Sequence, residues 1–227
     1  NGSVTFSFAH ASDYVIVLDG FVGAGSGAVD LITIRGAELL KEADVIIYAG
    51  SLVNPDLLNY AKDSCEIYDS AKMTLDEVLE KMFEAEKENK MTVRLHTGDS
   101  SIYGAIREQM DRLDEEGISY DVCPGVSSFC GAAAALKAEY TLPDVSQSVI
   151  ITRMAGRTPV PEKESIASFA EHGATMVIFL STGLLKDLSK ELVKGKYTED
   201  TPAAIVYKAT WPDEKIMRCT VGTLYET

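Results

Sequence analysis

The stretch MTVRLHTGDSSIYGAIREQMDRLDEEGISYDVC, Met91–Cys123, contains the organisation of the whole chain in miniature. Met91 to Leu95 reads as a strand, Tyr103 to Glu116 as a helix, and Tyr120 to Cys123 as a second strand. Strand, helix, strand is a parallel crossover, which requires a sheet with helices on its faces. Upstream the same rhythm holds. Val45 to Ala49 reads as a strand, Pro55 to Lys62 as a short helix, and Thr74 to Asn89 as an amphipathic helix with Leu75, Val78, Leu79, Met82 and Phe83 at helical spacing. Downstream, Ser128 to Lys137 is a helix of mostly small residues that must pack closely against something, and Glu139 to Ser146 is a candidate linker. A second series follows: strand Ser148 to Arg153, helix Ser165 to Glu171, strand Met176 to Leu180, helix Leu184 to Val193, strand Ala203 to Tyr207, and Lys215 to Val221 as half of a hairpin. The expected fold class is α/β, with two tandem α/β domains. Residues 21–142 form the first and residues 143–227 the second. Residues 1–20 are either an extension or an irregular first strand, because Asp19-Gly20 interrupts the apolar run Val15 to Leu18.

Composition narrows the function. The 227 residues carry 21 Lys and Arg against 35 Asp and Glu, a formal net charge of -14, which disfavours a phosphate-tracking nucleic-acid binder. Cys65, Cys123, Cys130 and Cys219 and the three histidines show no metal-ligand spacing, so no metal site is expected. Residues 1–20 lack Lys and Arg, and no apolar run spans a bilayer; a cytoplasmic protein without membrane contact is expected.

Three loops bear chemistry. The first, Phe21 to Asp30, carries Gly23, Gly25, Ser26, Gly27 and Ala28; glycines let backbone approach a ligand closely. It satisfies a dinucleotide pattern, but the acidic residue that would hold a ribose is missing after the second strand, and Asp44 precedes that strand, so an NAD site is disfavoured. The second loop runs from Arg94 through Thr97-Gly98-Asp99-Ser100 to Gly104, where Asp99 and Ser100 also suit plain capping. The third is Pro124-Gly125-Val126-Ser127-Ser128. All three follow strands, and ligands of open α/β sheets bind at that edge.

Together these loops resemble the tetrapyrrole methyltransferases, whose glycine-rich opening, G-D-P loop and P-G-V-[ST]-S loop occur here in family order. The similarity runs from Phe21 to the end of the chain. Three stretches resemble the branch that methylates C11 of precorrin-4 or cobalt-precorrin-4: His96 to Ile106, Gly156 to Glu162, and Tyr207-Lys208-Ala209-Thr210-Trp211-Pro212-Asp213-Glu214-Lys215. The departures are Ser26 and Ser100, each where the family usually has proline. The family also continues beyond Thr227, so the second domain is expected to be incomplete.

The resemblance implies the class III methyltransferase fold, with the active site in the cleft between the domains, S-adenosylmethionine as cofactor (S-adenosylhomocysteine as product), a tetrapyrrole substrate and a homodimer. It implies cofactor contacts from Gly25, Ser26, Gly27, Thr97, Gly98, Asp99, Ile102, Tyr103, Ser127 and Ser128 in the first domain and Leu180, Tyr207 and Ala209 in the second. A substrate rich in carboxylates calls for cations; Arg35, Arg153, Arg157 and Lys208 are the candidates. No catalytic base is assigned, since the sirohaem branch has a carboxylate near the position of Gly50 and this chain has none there. The alternatives are a C17, C20 or uroporphyrinogen III C-methyltransferase, or a non-catalytic corrin-binding relative. Whether the substrate contains cobalt stays open.

Overall fold

The computed structural model describes residues 19–156 and 158–226. Five parallel strands form one sheet: β1 (Asp19–Gly23), β2 (Val45–Tyr48), β3 (Glu66–Asp69), β4 (Thr92–His96) and β5 (Tyr120–Cys123), in the order β3-β2-β4-β1-β5. Side chains alternate across it, as a two-residue period requires. Val22, Ile46, Val93 and Leu95 pack on Leu40 of α1 (Ile34–Glu42). Phe21, Val45 and Ile47 instead meet Val78 and Met82 of α2 (Leu75–Lys87) and Leu113 of α3 (Arg107–Glu115). Both faces are therefore covered, the usual condition of a parallel sheet.

The first strand departs from expectation. Asp19 and Gly20 do not interrupt β1 but open it, with Gly20 paired to Val93 on one side and Asp121 on the other. A ladder on both edges holds the backbone there, and a Cβ on Gly20 would meet nothing closer than 3.9 Å, so the glycine is accommodated without being required. The segment Val15 to Leu18, with the rest of residues 1–18, lies outside the described residues.

Helix α1 and strand β3 were not expected. Thr33 starts α1 by accepting the Gly36 amide at 3.0 Å, a standard N-cap. Residues Pro55–Tyr60 form a 3-10 turn instead of an α-helix. Helix α3 starts at Arg107, four residues later than the spacing suggested, because Tyr103 (φ 57°) and Ala105 (φ 51°) take left-handed backbone conformations. The helix of small residues forms as α4 (Ser128–Leu136).

The second series has two small sheets. Strands β6 (Val149–Arg153) and β7 (Thr175–Phe179) are parallel, and β8 (Pro202–Tyr207) and β9 (Lys215–Thr220) form the antiparallel hairpin. Ile166 of α5 (Ile166–Ala170) and Leu188 and Leu192 of α6 (Leu185–Leu192) pack with Ile205, Val221 and Leu224. Burying each such side chain contributes about 1.5–3 kcal/mol.

Candidate functional site

The strand order locates a crevice. After β1 the chain crosses to β2 by way of α1 on one face, whereas after β4 it crosses to β5 by way of α3 on the other. Strands β1 and β4 are neighbours, so their outgoing loops part at their carboxyl ends, the topological switch point where such sheets bind ligands.

Three glycine loops meet there. The Gly25 and Gly98 backbones exchange hydrogen bonds at 3.2 and 2.8 Å, while the Ala24 amide donates to the His96 carbonyl at 2.7 Å. Gly98 needs its left-handed φ of 61° to make this turn. A Cβ on Gly125 would lie 2.1 Å from the Gly98 carbonyl oxygen, and one on Gly23 would lie 2.6 Å from the Gly125 backbone. Only residues without side chains close this knot.

Asp99 locks it. Its carboxylate accepts the Gly125 amide at 2.9 Å and the Ser101 amide at 2.9 Å, as well as the Ser101 hydroxyl. Desolvation acts to raise the Asp99 pKa, but these donors outweigh it and hold the carboxyl below its ordinary value. Asp99 thus closes a turn and ties the second loop to the third, and it caps no helix, since α3 starts only at Arg107.

Two hydroxyls at these strand ends remain uncommitted. Ser100 Oγ is buried and has no hydrogen-bond partner among the described residues, and Ser127 sits at the N-cap of α4 yet makes no capping bond among them. Buried hydroxyls of this kind are normally satisfied. A nucleoside-bearing cofactor offers suitable partners, so the donor set fits S-adenosylmethionine. Of the other expected contacts, Gly25, Ser26, Gly27 and Gly98 are buried, Ile102 and Ser128 half-buried, and Thr97 and Tyr103 exposed.

The second series reaches the same edge. The Tyr103 ring lies 5.6 Å from the Phe179 ring at the end of β7, and Leu180 follows, 75% exposed, at φ 55°. Tyr207, the last residue of β8, is exposed, and beyond it Ala209 is buried between Lys208 (φ 50°) and Thr210 (φ 68°). Tyr103, Ala105, Leu180, Lys208 and Thr210 all hold backbone conformations that cost about 1–3 kcal/mol each and cluster at functional sites. Thr210 bonds to Ser26 and Ala28, and Trp211 covers Gly27 so closely that a Cβ there would lie 2.2 Å from the indole. Asn54 donates to the Gly27 carbonyl at 2.8 Å from the opposite side.

The three candidate cations among the described residues, Arg35, Arg153 and Lys208, are engaged separately. Arg35 pairs with Asp121 of β5. Arg153 donates to the carbonyls of Met154, Thr158 and Pro159, and it lies near enough to Tyr103 for its charge to oppose the rise that burial imposes on the phenol pKa. Lys208 pairs with Asp213 at 2.7 Å and stands over the Tyr207 and Trp211 rings at 5.6 and 5.3 Å. Arg153 and Lys208 therefore border the edge just described, whereas Arg35 is turned toward β5. Arg157 lies outside the described residues. A groove of about 450 Å³ between α2 and α3, lined by Glu80, Glu84, Lys87 and Arg112 among others, is remote from all of these residues in the fold.

Sequence reasoning passed over three features. Thr210 and Trp211 were noticed only as part of a resemblance, since nothing local in a threonine foretells a contact 184 residues away. The buried Arg94 was also passed over; it donates to Gln109 Oε1 at 3.1 Å, the Ile47 carbonyl at 2.9 Å and Ser70 Oγ at 3.0 Å beneath the crevice. A charged residue in the middle of an apolar strand was the available signal.

Known proteins resemble the chain in sequence and in fold. Residues 20–225 match the family model of the tetrapyrrole (corrin/porphyrin) methylases. The cobalt-precorrin-4 C(11)-methyltransferase of Methanocaldococcus jannaschii is 55% identical over 205 residues, 90% of this chain and 79% of that protein. The X-ray structure of a cobalt precorrin-4 methyltransferase superposes with a TM-score of 0.90 at 48% identity, covering 92% of this chain and 88% of the other. The uroporphyrin-III C-methyltransferase of Thermus thermophilus, solved with S-adenosylhomocysteine, shares the fold at a TM-score of 0.78 and 23% identity, covering 92% and 90% of the two chains.

Proposed function

The chain belongs to the tetrapyrrole methylases, and from that premise we propose that it transfers a methyl group from S-adenosylmethionine to C11 of a precorrin-4-type corrin, cobalt-precorrin-4 in particular, in cobalamin biosynthesis. The observation that carries this reading is the convergence of three glycine loops at the switch point of the sheet, with Leu180, Tyr207 and Ala209 at the carboxyl ends of β7 and β8.

The cofactor supplies a methyl already activated on a sulfonium. What the chain adds is position. Holding two reactants in near-attack geometry lowers a barrier by about 7–11 kcal/mol, which demands rigid loops more than reactive side chains. Gly25, Ser26, Gly27, Thr97, Gly98, Asp99, Ile102, Tyr103, Ser127 and Ser128 hold the cofactor in this account, with Leu180, Tyr207 and Ala209 closing over it. The exposed aliphatic face of Leu180 and the rings of Tyr103 and Tyr207 suit a flat macrocycle. Arg153 and Lys208 receive its carboxylates, whereas Arg35, held by Asp121 of β5, is not placed for that role; exposed ion pairs such as Lys208–Asp213 are weak and exchange readily for a substrate carboxylate.

We take residues 21–142 and 143–227 as the two domains, in line with the separation of β1–β5 from β6–β9. The protein is further read as a cytoplasmic homodimer. Four unpaired cysteines suit a reducing compartment. Titration calorimetry with S-adenosylhomocysteine tests the cofactor half of the proposal. One site per chain with micromolar affinity is expected, and an absence of heat at millimolar ligand refutes it.

A further inference from the structure

We infer that Thr210 is a positioning residue for the cofactor loop: its hydroxyl, presented from the second half of the chain, fixes the segment Gly25 to Ala28 against the strand ends. The ligand named here rests on the methyl-transfer reading above; the geometry does not. Thr210 Oγ1 lies 3.0 Å from Ser26 Oγ and accepts the Ala28 amide at 3.0 Å, so one hydroxyl ties down two groups of one loop. Ser26 is 5% exposed, which keeps water from replacing the bond. Ser26 also stands where the resemblance places proline. The restraint that a ring would give is here given by a hydrogen bond from the other half of the molecule.

The surroundings are shaped for this contact. Gly131 of α4 leaves room for it, since a Cβ there would lie 2.8 Å from Ser26 Oγ and 3.2 Å from Thr210 Cγ2. The close packing expected of that small-residue helix is found at this point. Trp211, the next residue, covers Gly27. Thr210 itself sits at φ 68°, which a β-branched residue avoids, and the Glu214 carboxylate accepts its amide at 2.6 Å. A threonine that merely filled space would need neither the disfavoured backbone nor the carboxylate that holds it.

The test compares Thr210→Val, Thr210→Ser and Ser26→Ala in the full chain. Thr210→Val keeps the branched shape and removes the hydroxyl. Losing its bonds is expected to raise Kd for S-adenosylhomocysteine and KM for S-adenosylmethionine about tenfold, with kcat changed less than about threefold. Exchange of the Ala28 amide should accelerate by about tenfold or more, since its acceptor is gone. Thr210→Ser should restore all of these to within about twofold, and Ser26→Ala, which loses one of the two bonds, should weaken binding about threefold. Trp211, the only tryptophan in the chain, gives a second readout through its emission on ligand addition. A Thr210→Val protein with wild-type Kd and Ala28 exchange overturns the inference, and so does a Thr210→Ser protein as impaired as the valine variant. Should Thr210→Val fail to fold, Ser26→Ala decides, and unchanged binding overturns the inference. A wild-type protein that binds no S-adenosylhomocysteine refutes the methyl-transfer reading alone, because Ala28 exchange still decides the role of Thr210.

Discussion

Gly125 and His96 show how single residues set the site. At Gly125 the constraint is space, for a Cβ would meet the Gly98 carbonyl oxygen at 2.1 Å and the Gly23 Cα at 2.7 Å, all of it backbone within a sheet edge. Gly125→Ala is therefore expected to cost about 2–3 kcal/mol in urea unfolding and to weaken cofactor binding with it. At His96 the constraint is charge. The ring is 4% exposed, its Nε2 has no partner among the described residues, and burial, helped by the Arg94 charge, pushes its pKa from 6.5 down to about 3. The folded state thus refuses a proton that the unfolded chain accepts below pH 6.5. Stability from this residue is fully present above that value and falls as the pH drops toward 3, by about 1.4 kcal/mol per pH unit at the steepest. The difference in urea stability between wild type and His96→Leu should shrink with that slope between pH 6 and about 4. A parallel pair of curves contradicts the assignment.

Among elements, the part of the chain that binds is separable from the part that only supports. Helix α2 is fixed by a capping box, with Glu77 accepting the Thr74 amide at 2.6 Å and Thr74 accepting the Glu77 amide at 3.2 Å. It lies under the sheet, away from the loops. Thr74→Ala should lower stability by about 1 kcal/mol in chemical denaturation and leave KM for S-adenosylmethionine unchanged. What was legible in the sequence follows the same division. Strands β2, β4 and β5 were readable as short β-favouring runs, α2 from the helical period of its buried face, and α4 from its run of mostly small residues. Strand β3 was missed because Glu66–Asp69 is a short, largely exposed edge with no such run. The start of α3 was misplaced for a physical reason as well. Tyr103, Ile106, Met110 and Leu113 keep helical spacing straight through the left-handed turn at Tyr103 and Ala105, so the pattern concealed the turn.

Across the whole molecule, the net charge of -14 opposes an anionic substrate only on average. Arg153 and Lys208 border the crevice and Arg35 is held by Asp121, so the proposed contacts to substrate carboxylates narrow from four cations facing one trough to the first two. Glycine loops, their order and the strand ends were legible from residues alone. The bonds from Thr210 and the cover given by Trp211 were not, because they join segments that only folding brings together. Those contacts make the crevice a property of both halves. The most direct measurement incubates the full chain with cobalt-precorrin-4 and S-adenosylmethionine carrying a ¹³C methyl, and locates the label in the product by NMR. One labelled methyl at C11 is expected; label at any other carbon, or none, refutes methyl transfer to C11.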